Sequence, residues 1–152
     1  YHAIVLAAAG LKRLGLGDRI RAIFEPAQSL PAAGQGALGI EVRADRQDLV
    51  DALRPLAHAP SWMRVAAERT VSRALGGSCS MPLAAHAEWM ADGALRLQAA
   101  WGDPEGHHAL VRAEETGAVT DLAQAEALGQ RVASVLRAAG AGVDAGHAAP
   151  GA

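Results

Sequence analysis

Short apolar stretches separated by glycine and proline make up the first part of the chain. The run AIVLAAA at residues 3–9 has the length and continuity of a strand buried on both faces, and residues 37–42 form a second strand candidate. Between them, residues 10–17 predict a short helical turn and residues 30–36 predict a loop, because glycine and proline interrupt both segments. The leucine spacing in residues 45–56 predicts a helix with one apolar side. This part of the chain therefore predicts an α/β arrangement.

Two longer helices are predicted further along the chain. Ser61 is a typical N-cap residue for a helix at residues 62–75, and the pair Gly76-Gly77 follows where such a helix should end. Apolar residues recur with helical spacing through residues 120–139, and Asp121 lies where the helix N-terminus favours an acidic group. Each helix is expected to bury one stripe of apolar side chains.

The region between these helices alternates between apolar and polar residues. Two turn sequences, at residues 91–93 and 102–106, divide residues 82–115 into three runs of strand length. This pattern predicts a three-stranded antiparallel meander. The tail from about residue 141 has no periodicity and is expected to be disordered.

Composition and charge exclude several classes of function. The formal net charge of −2 argues against a general nucleic-acid binder, and the five aromatic residues are too few for a base-stacking platform. No apolar run approaches the ~20 residues needed to cross a bilayer. The single cysteine cannot form an internal disulfide, which fits a reducing cytoplasm. Because Tyr1 leads directly into an apolar segment, we expect the natural polypeptide to begin upstream.

Cys79 lies in the glycine- and serine-containing segment LGGSCSMPLAA, residues 75–85. A buried structural thiol is one interpretation, since free cysteine is often a core residue. The other interpretation is an accessible thiol that another molecule must reach. The predicted helix ends just before it, and a helix C-terminus opposes a thiolate. His58 and His86 are not paired with it by any pattern, so a single covalent attachment suits this thiol better than repeated nucleophilic attack.

The same segment resembles the cofactor-attachment signature of porphobilinogen deaminase, also called hydroxymethylbilane synthase. Residues 3–16 and 29–43 resemble further segments of that family, in the same order. Met81 departs from the family pattern at a packing position next to the cysteine. The signature positions in this chain are Glu68-Arg69, Val71, Leu75, Gly77-Ser78-Cys79 and Pro82.

The resemblance implies a transferase of porphyrin and heme biosynthesis. Such an enzyme condenses four porphobilinogen molecules head to tail with loss of ammonia, and hydrolysis then releases hydroxymethylbilane. The growing chain is built on a dipyrromethane cofactor held through a thioether to the loop cysteine, here Cys79. The resemblance further implies a cytoplasmic monomer with a small-molecule substrate and no nucleic-acid or membrane partner.

Further site residues follow from the resemblance. Each pyrrole unit carries acetate and propionate groups, for which arginine is the natural partner. Arg13 matches a cleft arginine of the family, and the backbone amides around Ala7 and Gly10 and the side chain of Gln35 are weaker candidates for cofactor contacts. The catalytic aspartate of the family is expected upstream, so no residue of this chain is assigned that role.

The resemblance also implies a domain organisation. Residues 1–36 would end the second of two lobes that resemble periplasmic binding proteins, and residues 37–57 would return to the first lobe. Residues 58–152 would form a C-terminal α+β domain that carries the cysteine.

Two other classes of function remain open at this point. A non-catalytic module that binds tetrapyrroles or anions could reuse the C-terminal domain, and a cysteine hydrolase would need a histidine that the sequence does not pair with Cys79. We expect the chain by itself to lack turnover.

Several conspicuous residues are expected to have structural roles. Glu68 and Arg69 should orient the helix and the loop, and the three tryptophans should pack against the core. His107 and His108 are adjacent on a predicted turn, which does not favour a metal site, and none is predicted.

Overall fold

The computed structural model describes residues 2–77, 81–103 and 109–142. Within these ranges two helices pack against one face of a three-stranded antiparallel sheet, and shorter elements precede them. Two 3₁₀ turns, Gly17–Arg19 and Arg54–Leu56, follow the first two helices. In chain order the helices and strands are α1 (Ala8–Arg13), α2 (Gln47–Leu53), α3 (Ala59–Ala74), β1 (Leu83–Trp89), β2 (Leu95–Trp101), β3 (Val111–Gly117) and α4 (Leu122–Ala138).

The sheet is the predicted meander, with strand order β1-β2-β3. Leu83 pairs with Trp101 at one end of β1, and Trp89 pairs with Leu95 beside the first turn. Gly93 adopts a φ of +83° there, which a glycine accepts without strain. The predicted second turn lies largely outside the described residues. The antiparallel pairing of β2 with β3 confirms the third strand.

The core lies between the inner face of the sheet and the two long helices. Alternate residues of β2 point inward, as the period of two in a strand requires. The largest fully buried side chains come from β2, α3 and α4: Leu95, Leu97, Val71, Leu128, Val132 and Leu136. The predicted C-terminal α+β architecture is therefore confirmed for the described residues.

The predicted start of α3 is wrong by about one turn. The helix begins at Ala59, with His58 as its N-cap and Pro60 in its first turn. The missing N–H of proline costs no hydrogen bond there, because N–H groups of the first turn have no partner within the helix. Ser61 is inside the helix, and its Oγ lies 2.9 Å from Nδ1 of His58. The predicted end is confirmed: Ala74 closes the helix and Gly76 and Gly77 adopt positive φ angles.

The predicted strands at residues 3–9 and 37–42 are wrong for this structure. Both segments are mainly exposed and contain no strand, and α1 begins inside the first of them. A strand is stable only when its N–H and C=O groups pair with a neighbour, and no strand within the described ranges pairs with either segment. The two lobes of the α/β prediction are therefore not seen in the described residues.

The prediction that all three tryptophans pack against the core is wrong for Trp62. Its residue surface is 62% exposed, whereas Trp89 and Trp101 are partly buried against the core. Trp62 shares a helix face with the exposed Arg69 and Arg73, because residues seven and eleven positions apart lie on one side. Trp89 also donates from Nε1 to the Pro60 carbonyl at 3.1 Å.

Candidate functional site

Arg13 occupies the last turn of α1, next to Lys12, and both side chains are exposed. The short helix contains no acidic residue, so its C-terminal end presents two cations. Basic groups near a helix C-terminus are favoured by the helix dipole. This turn therefore offers an accessible donor for a carboxylate.

Ala7 and Gly10 define the first turn of the same helix. Ala7 is the N-cap residue, with extended backbone angles, and its carbonyl accepts a 3.1 Å hydrogen bond from the Gly10 N–H. The Gly10 amide is thus used inside the helix. An added Cβ at Gly10 would meet nothing within 4 Å, so the backbone is open to approach at this position.

Gln35 lies between Gly34 and Gly36, whose φ angles are +77° and +85°. Its backbone N–H donates to the Ala32 carbonyl at 3.0 Å, and its Oε1 accepts from the Ala32 N–H at 3.2 Å. The side chain is exposed and its amide nitrogen is a hydrogen-bond donor. The loop therefore holds Gln35 by its oxygen and presents its donor end.

The loop that contains Gln35 is attached to the C-terminal domain. The Pro31 carbonyl accepts from the Ala85 N–H of β1 at 3.0 Å. Glu68 of α3 is 4% exposed; its Oε2 accepts from the Gly34 N–H at 2.7 Å and its Oε1 from the Ala87 N–H at 2.7 Å. Glu68 was predicted to orient α3 and the cysteine loop; its hydrogen bonds instead go to β1 and to residues 31–34, a segment that sequence reasoning did not identify.

Cys79 lies outside the described residues, together with its neighbours Ser78 and Ser80. The flanks of this loop are held on both sides. The Arg137 guanidinium donates to the Ala74 carbonyl at the end of α3, and the Pro82 carbonyl accepts from the Gly102 N–H at 2.8 Å.

An open groove of about 480 Å³ lies beside the end of α3. It contains both backbone and cationic groups, and its lining residues are Ala74, Leu75, Gly76, Arg137, Ala141 and Gly142.

Met81, the departure from the family pattern, packs against the core as expected for a neighbouring packing position.

Two exposed ion pairs lie after the second predicted strand. Arg43 binds Asp45 at 2.7 Å, and Arg46 binds Asp48 at 2.6 Å. Hydrogen bonding to these guanidinium groups lowers the pKa of each carboxyl. Both pairs lie at the protein surface.

The predicted site residues are only partly brought together. The loop with Gln35 is fixed to the domain that carries the flanks of the Cys79 loop. Among the helices, strands and 3₁₀ turns of the described ranges, α1 packs only against the Gly17–Arg19 turn, so the helix that carries Arg13 does not pack against α3, α4 or the sheet. His107 and His108 lie outside the described residues.

The described part of the chain contains no group of three histidine, cysteine, aspartate or glutamate residues arranged to hold a metal ion. None of its helices combines the length and apolarity required for a membrane span.

Two family models match the chain. Residues 62–138 match the model described as porphobilinogen deaminase, C-terminal domain, and residues 1–51 match the model described as porphobilinogen deaminase, dipyromethane cofactor binding domain. The first match alone spans more than half of the chain.

The chain belongs to the porphobilinogen deaminase family.

Porphobilinogen deaminases of known sequence agree with this assignment. The chain is 68% identical over 139 residues to the porphobilinogen deaminase of Albidiferax ferrireducens, which covers 91% of this chain and 44% of that protein. It is 58% identical over 141 residues to those of Ralstonia nicotianae and Paraburkholderia phytofirmans, covering 93% of this chain and 42% and 41% of those proteins. The chain thus spans less than half the length of these relatives. Arg13 and Gln35 lie in the part that matches the cofactor-binding model.

Proposed function

We propose that this chain forms the C-terminal part of a porphobilinogen deaminase, a transferase that joins four porphobilinogen units with loss of ammonia and yields hydroxymethylbilane. The observation that carries the proposal is the match to both family models, with Cys79 at the signature position after α3. A cytoplasmic monomer is part of the same proposal.

The residues present fit a dipyrromethane cofactor by their donor chemistry. Arg13 presents an exposed guanidinium, which can bind an acetate or propionate group through two parallel hydrogen bonds. Gln35 presents an amide donor on a loop attached to the C-terminal domain. When bound, the cofactor supplies the pyrrole carbon to which the first substrate unit is joined.

In the proposal, the candidate site residues of this chain bind or position the cofactor. Cys79 holds the cofactor through a thioether, Arg13 binds its carboxylates, and Gln35 and the backbone amide of Ala7 add hydrogen bonds. Gly10, whose own N–H is bonded to the Ala7 carbonyl, leaves room for the cofactor to approach the backbone. A thiol that follows a helix C-terminus gains no thiolate stabilisation from the dipole. This suits an attachment made once. Proton transfer to the substrate is assigned to a carboxylate outside this chain.

The proposed domain organisation accounts for the exposed apolar residues of the first third. Ile4 and Val5 are 70% and 76% exposed, and Leu38 is 90% exposed. Contiguous apolar residues on a surface mark an interaction site. We propose that residues 1–36 complete a second lobe and residues 37–57 return to a first lobe, both built with polypeptide outside this chain, while residues 58–152 form the third domain.

Mass spectrometry of the intact protein, as its gene encodes it, tests the proposal. The wild type should carry a covalent adduct of two linked pyrroles. Cys79→Ser should lose both the adduct and hydroxymethylbilane formation, because the attachment atom is gone. Ser80→Ala, which changes another side chain of the same loop, should retain both.

The outcomes separate the alternatives. An unmodified wild-type protein that forms hydroxymethylbilane at a normal rate would overturn the proposal. An adduct without turnover would favour a tetrapyrrole-binding module, and thiol-dependent ester cleavage without an adduct would favour a hydrolase.

A further inference from the structure

Groups from two other segments bind three backbone groups on the outer edge of β1. The Pro31 carbonyl accepts from the Ala85 N–H, and the Glu68 carboxylate accepts from the Ala87 N–H. The Ala87 carbonyl accepts a 2.7 Å hydrogen bond from Nε of Arg64. Exposed strand edges otherwise pair with other chains, so these contacts protect the sheet. They also attach the loop at residues 31–34 to the C-terminal domain.

Glu68 is the side chain that joins this loop to the domain at Gly34. One carboxylate oxygen accepts from the loop and the other from β1, so the group satisfies one part-buried and one buried backbone donor at once. Hydrogen bonds to an ionised acceptor are stronger than neutral ones. The charged or titratable groups that face this region are His86, with Nδ1 4.0 Å from Oε1, and Arg64, which binds the other side of Ala87.

The position of this bond matters because Gly34 is adjacent to Gln35. Gly34 and Gly36 both have positive φ, which gives the loop access to backbone conformations that other residues avoid. A loop with two such glycines loses much conformational entropy when it is ordered. The bond from Glu68 restricts the loop at the residue before Gln35.

The other end of the connection is α3. Glu68 lies in the second half of this helix, and Ala74 at its end leads in the sequence to Cys79. A helix is rigid over this distance, so a loop attached at Glu68 has a fixed place relative to the start of the cysteine loop. We propose that Glu68 is a positioning residue that holds Gln35 in place for the cofactor attached at Cys79. This inference rests on the proposed function.

A double-mutant cycle in the full protein tests whether Glu68 acts through Gln35. Glu68→Gln places an amide NH₂ against one of two backbone donors, so one hydrogen bond is lost and a donor remains buried. We expect Glu68→Gln and Gln35→Ala each to lower kcat/KM for porphobilinogen by about tenfold. The double variant should lose no more than the more impaired of the two single variants. Losses that multiply would overturn the inference, because they would show independent roles.

Controls separate this role from a general loss of stability. Glu126→Gln removes a half-exposed carboxylate that lies 3.5 Å from Arg73 and should leave kcat/KM unchanged. Hydrogen exchange in Glu68→Gln should accelerate at residues 32–36 while the amides of β2 and α4 keep their wild-type rates. Equal acceleration throughout the domain would overturn the positioning role.

A measurement on the wild type covers the case in which Glu68→Gln does not fold. The Gly34 amide should exchange at least about tenfold more slowly than the exposed Gly36 amide. Equal rates would overturn the inference. Failure of the proposed function is recognised separately, since Cys79→Ser would then retain turnover.

Discussion

At the scale of single residues, Gly129 is where α4 approaches α3 closely. A Cβ added at this position of α4 would lie 2.5 Å from the Ala67 carbonyl oxygen and 2.7 Å from Cβ of Thr70, both on α3. No side-chain rotation relieves a contact with a backbone oxygen. Glycine is therefore required at this crossing because the two helices could not otherwise pack this closely.

Gly129→Ala should lower the free energy of unfolding by about 2 kcal/mol, since overpacking outweighs the better helix propensity of alanine. Chemical denaturation followed by circular dichroism measures the change. Gln130→Ala, at the neighbouring exposed position, should stay within about 0.5 kcal/mol of the wild type. A Gly129→Ala protein as stable as the wild type would contradict the close packing of α3 against α4 at this crossing.

At the scale of elements, α4 has a well-formed N-terminus. The Asp121 carboxylate accepts a 2.8 Å hydrogen bond from the Gln124 N–H, and Oε1 of Gln124 accepts one of 2.8 Å from the Thr120 N–H. The first bond satisfies a backbone donor that a helix leaves free at its start, and the second ties the residue before the N-cap to the first turn. The predicted helix at residues 120–139 is confirmed, with Asp121 as its N-cap residue.

Asp121→Ala should lower the free energy of unfolding by about 1 kcal/mol, because the first turn loses its side-chain acceptor. Asp121→Asn keeps an acceptor oxygen and should retain most of that stability. Thermal or chemical denaturation distinguishes the two variants. Equal stability of the alanine and asparagine variants would show that the cap contributes nothing.

At the scale of the whole molecule, the two parts of the chain differ in how they are packed. The part from α3 to α4 has a shared core, whereas the first third exposes Ile4, Leu38, Phe24 and other large apolar residues. Because the chain spans less than half the length of its relatives, the proposed function places the proton-handling carboxylate outside it.

We therefore expect that the chain by itself can at most bind the carboxylates of porphobilinogen, and that it shows no sustained turnover. An assay with porphobilinogen, run beside the full-length protein, measures hydroxymethylbilane formation. Sustained formation by this chain alone would contradict the assignment of the catalytic carboxylate to another part of the protein.

Sequence reasoning succeeded where the determinants are local. Glycine at positions 76 and 77 ends α3, and the alternation between residues 82 and 115 predicts the strands that the structure contains. It was wrong at residues 3–9, where a continuous apolar run indicated a strand, and at residues 37–42, the second strand candidate. Apolarity reports that a segment is to be buried, but a strand also needs a partner for its backbone groups.

The sequence by itself determined the two long helices, the meander and the signature around Cys79, because helical period, strand alternation and capping act between residues close along the chain. Only the tertiary structure decided that Glu68 holds Gly34, that Pro31 covers the edge of β1, and that Gly129 meets Ala67. These contacts join segments far apart in the sequence. Their partners are selected by how the packed elements meet in space, which no local pattern specifies.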